Sequence, residues 1–457
     1  MPGWLSKLFG RSDTAAAAPA TPMAPVRLQG RSPAAAAPAI AAAAVSTGTG
    51  TGAAPALLFG VRRPLVAPSG AVAAFEFSLP AALQHRLATR ADIVTTAAYQ
   101  AALMAAARPV LESSRRVLLR VGADVLARPG FAAQVPARTM LLVDDLARLP
   151  AEAAAALRRA GAFLGVPDGP PAAAPSADFV FMDAAGGDID TLLLSAQRWQ
   201  EARPRVPRVA SGLAHVDDVE RVLRAGFALA GGQLDRPSAG ASARPLNAAA
   251  HRICELLNHL ALDLDTTVVA DAVRADVAMS YRLLRYVNSP AIGLSRGVES
   301  VEQGVTVLGR NELVRWLSVM LLSASEGRQA TQALQEHALA RGRLLELLAK
   351  HLGEPAPQAL FSLGVLSMLE VLLQSPLSVA LAPLRLNEAA SQALLQHEGP
   401  WAGYLALASA LDAADSTALA SLSGRWGGTD TVFEWSAQAW AWAAELSSQT
   451  ASAAPTP

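Results

Sequence analysis

The chain has 457 residues, enough for two ordinary domains and a tail. Lysine plus arginine balance aspartate plus glutamate at 38 each, so the net charge is zero, and charge gives no argument for nucleic acid or an anionic membrane as partner. A single cysteine, Cys254, excludes an intrachain disulfide and a cysteine-rich metal site, and it suits a reducing cytoplasm.

Met1 to Arg11 places Trp4, Leu5, Leu8 and Phe9 on one side of a helix, with Lys7 and Arg11 beside them. That segment reads either as a short anchor for a surface or as a frayed terminus. Residues 13 to 55 are almost all Ala, Pro, Thr, Ser and Gly. They hold too little apolar surface to offset ordering entropy, so 1–55 is predicted as a disordered tail. The Gly-Thr run from Ser46 to Gly52 lacks the lysine of a phosphate-binding loop. The apolar run Ala34 to Val45 is short and broken by Pro38, so neither export nor a membrane span is expected.

Strand-like and helix-like pieces alternate through 56–240. Strands are predicted at Ala71–Phe77, after a turn at Pro68–Gly70, and at Arg116–Val121, Met140–Val143, Ala162–Val166, Asp178–Met182 and Phe227–Ala230. Helices are predicted at Ala97–Ala107, Ala151–Ala160 and Val216–Ala225. Such alternation implies a parallel sheet, and a barrel is one form of it. About 180 residues is short for eight full units, so some helices should be clipped.

From 241 to 448 the periodicity is helical throughout, and 449–457 is predicted as a disordered end. Ile253, Leu256, Leu257 and Leu260 share one apolar face, and Leu344, Leu345, Leu347 and Leu348 another. Leu360–Leu373, apolar nearly all round, predicts a central buried helix. Ser300-Val-Glu-Gln303 reads as a helix-start capping box. Trp435 and Trp442 fall on one face of a closing helix, with Trp440 elsewhere; the aromatics either pack on the bundle or dock a partner.

A helix runs into Asn288-Ser289-Pro290, a loop follows, a helix starts near Ser300, and it ends at Leu308-Gly309 before another begins. With Leu360–Ser367, Pro376–Leu384 and Ala393–Gly399, this order resembles the HDOD domain, a helical signalling module related to HD phosphohydrolases. The resemblance implies a helical bundle without the HD metal site. None of the seven histidines is followed by Asp. His251, Glu255 and His259 stand at i, i+4 and i+8 on one face, too spread for a single ion, and read as a solvated polar face. Asn288 and Ser289 are expected to satisfy backbone groups where Pro290 stops the helix, and the same three residues are a candidate partner surface.

Arg62-Arg63-Pro64-Leu65, Gly70–Phe77, Gly226-Phe227, Gly231-Gly232 and Arg236-Pro237 together resemble the EAL domain, a barrel phosphodiesterase that linearises cyclic di-GMP with divalent metal. By that resemblance Glu76 stands at the metal-binding Glu of the signature. Arg120 and Leu142 stand where ligands Asn and Glu belong. The paired aspartates reduce to Asp168, and the Lys-x-Asp strand keeps Asp183 without its Lys. Ser211 and Ala214 replace the Glu-Lys-Val-Glu carboxylates, and Gly231 replaces the Gln. Glu76 and Asp183 are therefore expected to be remnants, bonded to backbone or to an arginine such as Arg62.

The expected architecture is a degenerate EAL-type (β/α) barrel followed by an all-helical HDOD bundle. The expected function is a non-catalytic, cytoplasmic bacterial signalling scaffold without a cofactor. It would contact other signalling proteins, with a homodimer allowed. A cyclic di-GMP receptor and a residual phosphodiesterase remain the alternatives.

Overall fold

A computed structural model describes residues 61–451 apart from 80, 91, 114, 174–175, 186, 238–245, 263–265, 289–296 and 324–327. The expectation for 1–55 and that for 452–457 lie outside these residues, but 449–451, predicted as the start of a disordered end, continue the helix Thr429–Ala451.

Eight strands close into one barrel in sequence order. They are β1 (Arg62–Val66), β2 (Val72–Phe77), β3 (Arg116–Arg120), β4 (Thr139–Leu142), β5 (Phe163–Pro167), β6 (Phe179–Asp183), β7 (Arg208–Leu213) and β8 (Leu229–Gly232). β1 is antiparallel to both β2 and β8, and the remaining neighbours are parallel. The hairpin turns where Pro68–Gly70 predicts it. Gly70 has φ +83°, a conformation glycine adopts without strain, and its N–H donates to Ala67 O at 2.8 Å.

Between the strands lie α1 (Ala81–Arg90), α2 (Ile93–Glu112), α3 (Ala123–Leu126), α4 (Ala151–Arg159), α5 (Ile189–Ala202) and α6 (Val216–Arg224). The shortage of residues is met by clipping, as expected. The β3–β4 connection keeps a four-residue helix, and among the described residues of the β5–β6 connection the one helical piece is the 3-10 turn Pro171–Ala173. The barrel interior is packed with Leu65, Leu118, Met140, Leu142, Phe179, Phe181, Val209 and Leu229.

The bundle comprises α7 (Ala248–Ala261), α8 (Thr266–Arg274), α9 (Val277–Val287), α10 (Val301–Ser323), α11 (Thr331–His351), α12 (Pro357–Leu366), α13 (Leu369–Leu373), α14 (Leu377–Leu381), α15 (Glu388–Ser391), α16 (Ala402–Ala413), α17 (Ser416–Leu422) and α18 (Thr429–Ala451). The capping box forms: Gln303 N–H donates to Ser300 Oγ at 3.1 Å, and Gln303 Oε1 accepts from Glu299 N–H at 3.4 Å. Gly309, at φ +66°, breaks α10 where one helix was predicted to end and another to begin. The single central helix expected over Leu360–Leu373 is instead two, α12 and α13, separated at Ser367–Met368. Its burial is as expected, with Phe361, Val365, Met368 and Leu369 fully inaccessible. α12 packs on α11 backbone to backbone, since a Cβ added to Gly364 would lie 2.7 Å from Gly342 Cα.

An antiparallel hairpin has no crossover helix to cover its outer face. Here α11 and α18 cover it. The Phe75 ring meets Trp440 edge-on at 5.0 Å, and Trp440 stacks on His337 at 5.3 Å. Ala333 N–H donates to Gly70 O at 2.8 Å. The first turn of α11 is served from the barrel: Ala330 N–H donates to Glu220 Oε1 of α6 at 3.1 Å. Arg115 grips Glu336 with two bonds of 2.5 and 2.8 Å. Arg328 reaches Asp217 at 2.6 Å, and Arg341 reaches Asp235 at 3.2 Å. Barrel and bundle residues thus share one continuous apolar cluster.

The Glu336 side chain is only 4% exposed, and burial pushes its carboxyl up in pKa against the pull of Arg115. Arg115→Ala strands a buried carboxylate, at a cost of about 3–5 kcal/mol. Urea unfolding of the full chain should show that loss, and Glu336→Gln in the same background should recover part of it. A midpoint unchanged in Arg115→Ala would mean the docking does not depend on this pair.

Candidate functional site

Strand alternation fixes which side chains enter the barrel. On β1 Arg63 and Leu65 are on the inward set, on β2 Ala74 and Glu76, on β3 Leu118 and Arg120. On β4 they are Met140 and Leu142, on β6 Phe179, Phe181 and Asp183, on β7 Val209 and Ser211. The ladders set these at common levels: Arg120 pairs with Leu142, and Asp183 with Ser211. The last member of each parallel set, together with Arg63 of the antiparallel β1, which pairs with Glu76, therefore converges at one end, the C-terminal mouth of the parallel strands.

A cavity of about 460 Å³ opens there, lined among others by Arg63, Glu76, Arg120, Leu142, Phe181 and Asp183. Ser211 Oγ donates to Glu76 Oε2 in a short hydrogen bond. Burial pushes the Glu76 carboxyl above its usual range, opposed by Ser211, Arg63 and Arg120. Asp183 is exposed, and its Oδ1 accepts from Ala185 N–H at 2.9 Å. Arg120 pairs with Asp144 across the rim at 2.9 Å. Gly231 lies against Leu65, where a Cβ would come within 2.4 Å of that side chain, and 3.4 Å from Ser211 Oγ.

Glu76, Arg120, Leu142, Asp183, Ser211 and Gly231 are thus brought together, while Ala214 is exposed in the turn after β7. Asp168 faces a different task, accepting from Ser195 Oγ at 2.6 Å and Trp199 Nε1 at 3.0 Å to anchor α5. Of the two expected partners, backbone or an arginine, Asp183 takes the backbone one through Ala185 N–H, whereas among the described residues Glu76 is bonded by Ser211 instead. Arg62 instead lies over the Phe77 ring at 5.3 Å, and burial pulls its pKa down to about 10. Asn288 does satisfy terminal backbone groups: its Nδ2 donates to Leu284 O and Val298 O, and its Oδ1 accepts from Val298 N–H, all within 2.8 Å. Ser289 and Pro290 lie outside the described residues. His251 and Glu255 are solvent-exposed and His259 half-buried, and no three His, Cys, Asp or Glu among the described residues gather to hold a metal ion. The tryptophans pack on the bundle: Trp435 on His351, Trp442 on Phe361, Trp426 on Tyr404.

Sequence reasoning misses the cover of the mouth. Ala414, Asp415 and Ser416, the turn between α16 and α17, line the same cavity from the bundle side. Ala414 has φ +54°, an unfavourable conformation for alanine. Asp415 caps α17 by accepting from Thr417 and Ala418 N–H at 3.0 Å each. Arg63 donates to Ala413 O at 3.3 Å, placing a cation at the carbonyl end of α16. The inward place of Arg63 on β1 was readable from alternation with Leu65; a cap 350 residues further on carried no local signal.

Residues 244–397 match the family model of the HDOD domain. The uncharacterized protein YuxH of Bacillus subtilis is 29% identical over 150 residues, covering 32% of this chain and 37% of that protein. The cyclic di-GMP phosphodiesterase CdgJ of Vibrio cholerae is 29% identical over 154 residues, covering 34% of this chain and 35% of that protein. The chain therefore spans little more than a third of the curated relatives it matches. Among solved structures, the Xanthomonas citri FimX EAL domain in complex with c-diGMP superposes with TM-score 0.32 at 15% identity, over 38% of this chain and 85% of that one. Klebsiella pneumoniae BlrP1 in a calcium/cy-diGMP complex gives 0.32 at 18%, over 39% and 56%. Superpositions this low carry no argument about the site. The chain has the two-part order that the sequence implied, a closed eight-stranded barrel followed by a helical region in which residues 244–397 match the HDOD domain.

Because its pKa is raised in the folded state, Glu76 contributes most below its unfolded pKa, and that contribution is lost as pH rises through the folded value. Glu76→Gln, which cannot ionise, should raise the melting temperature at about pH 7 and converge on wild type toward about pH 4. Thermal melts across that range check it; a variant less stable at neutral pH would show the charged carboxylate to be favourable.

Proposed function

We propose that this chain is a signal-transduction protein that acts by contact with other signalling proteins in the cytoplasm, without catalysis. The supporting observation is the composition of the barrel mouth. Its three carboxylates are already engaged, Glu76 by Ser211, Asp183 by the Ala185 N–H and Asp415 by the Thr417 and Ala418 N–H groups, and two arginines stand among them. A divalent-metal phosphodiesterase needs several carboxylates to offset its ions and to lower the pKa of a water. The metal that the EAL resemblance implies does not fit these donors. Burial favours the protonated, poorly ligating form of Glu76, and Arg120 adds a repelling charge.

The surface proposed for contact is the helix leading into Asn288 rather than Asn288 itself, which is occupied in closing its loop. Val277 is 83% exposed and Tyr281 50%, one turn apart on α9.

A second reading, binding of a cyclic dinucleotide without turnover, is favoured by Arg63 and Arg120 facing one cavity. Full-length protein incubated with cyclic di-GMP and manganese should leave the dinucleotide intact by chromatography. A linear product that scales with protein and disappears in Glu76→Gln would overturn the non-catalytic reading. Calorimetry on the same sample distinguishes the second reading, since saturable heat lost in Arg120→Ala would establish a receptor.

A further inference from the structure

We infer that the joint between barrel and bundle is built around a binding site for one small neutral molecule that both donates and accepts hydrogen bonds, a single buried water. This goes beyond the contact function proposed above and does not depend on it. Four elements meet around a cavity of about 20 Å³: β1 brings Arg62, α11 brings His337 and Arg341, α16 brings Asp412, and α18 brings Ser436. A water needs roughly 10–15 Å³ of such space, so the cavity has room for one. It is separate from the barrel mouth, and the two share no lining residue.

Three of these side chains each leave one buried nitrogen without a hydrogen-bond partner among the described residues. They are Arg62 Nε, Arg341 Nε and His337 Nδ1. His337 is 3% exposed and Arg341 6%, so bulk solvent does not serve them. Their other polar atoms are taken: Arg341 donates to Asp412 Oδ2 at 2.7 Å and Ser409 Oγ at 2.9 Å, and His337 Nε2 meets Asp412 Oδ1 at 2.8 Å. A buried polar atom without a partner carries the full cost of its desolvation. Three on the residues that line one cavity call for a ligand there.

Charge does not select an anion. Arg341 is balanced by Asp412 and, at 3.2 Å, by Asp235. Arg62 is half-buried and lies over the Phe77 ring, so its charge has both solvent and an aromatic face. The hydrogen-bond inventory selects water. The two Nε–H groups can only donate. Asp412 is held below its usual pKa and can only accept, so the proton of its bond to His337 sits on Nε2. In the neutral ring Nδ1 is then an acceptor. The ligand must accept twice and donate once. A halide cannot donate to Nδ1, and an ammonium cannot accept from Nε–H. Water does both, and Ser436, the one hydroxyl in the lining, can accept its second proton.

A crystal structure of the full chain, with and without a bromide soak, tests the site. One peak should lie within about 3.2 Å of Arg62 Nε, Arg341 Nε and His337 Nδ1, with no anomalous signal from bromide. Bromide at that point, an empty cavity, or side chains turned to pair with protein acceptors would each overturn the inference. In solution, Ala439, which lines the cavity from α18 and is 1% exposed, is replaced by valine and by threonine, which differ by a methyl against a hydroxyl. Both fill the space. Ala439→Thr puts a hydroxyl in place of the water, while Ala439→Val leaves the nitrogens stranded. Ala439→Thr should therefore melt several degrees above Ala439→Val, and the reverse order or equal melting would also overturn the inference. Should neither variant fold, the wild-type crystals decide alone.

Discussion

The outer face of the β1–β2 hairpin is the constraint on which the rest of the molecule depends. Six neighbouring strand pairs of this barrel, β2–β3 through β7–β8, are joined by connections that can lay a helix or turn over the sheet, but an antiparallel hairpin cannot. Phe75 and Phe77 would stand in water on that face. Instead they belong to the same buried cluster as Ala333, Leu334, Ala338 and Trp440 of the bundle. The apolar area sets the affinity of the two halves, and the buried ion pairs set their register. Arg115 with Glu336 needs one geometry to avoid a stranded charge, and Arg328 with Asp217 and Arg341 with Asp235 add two further charged ties between barrel and bundle. The barrel is complete as a sheet and incomplete as a soluble surface, so the bundle is part of its fold.

That docking also decides what happens at the barrel mouth. α11 holds Asp412 at the end of α16 through His337 at 2.8 Å and Arg341 at 2.7 Å. Burial alone would raise the Asp412 carboxyl, yet these two partners keep it below its usual value. The next residue, Ala413, accepts from Arg63, and the turn after it covers the cavity. The cover is therefore fixed from both sides, by the bundle through Asp412 and by the barrel through Arg63.

What could be read in the sequence follows from how local each signal is. Strands β2 to β6 and β8 were legible because a short apolar run between turn residues is a local pattern. β7 was not, because Ala210, Ser211 and Gly212 replace bulky residues where the strand passes Glu76 and Asp183, so the site itself erased the signal. α5 carries its own local stripe, Leu192, Ala196 and Trp199 at helical spacing. Glu76, Arg120, Leu142, Asp183, Ser211 and Gly231 could be placed together because period-two alternation plus the EAL resemblance puts each at a strand end. The cap at Ala414–Ser416, the pairing of Arg120 with Asp144, and the break at Ser367–Met368 were invisible. Each is a tertiary choice among locally acceptable conformations.

A cavity within the bundle is joined to the barrel mouth by an unbroken line of contacts. α12 lines the bundle cavity with Gln358 and Ser362 and meets α11 where Gly364 faces Gly342. α11 in turn holds Asp412, and Asp412 precedes the turn over the mouth. Contact alone does not make two sites communicate; an element along the line must have two stable positions that each ligand weighs differently. The close backbone crossing at Gly342 and Gly364 is a poor place for such freedom, since it leaves no slack for a shift of α12 that α11 does not follow. The α16–α17 turn is a better one, because Ala414 is held at an unfavourable φ that release would relieve.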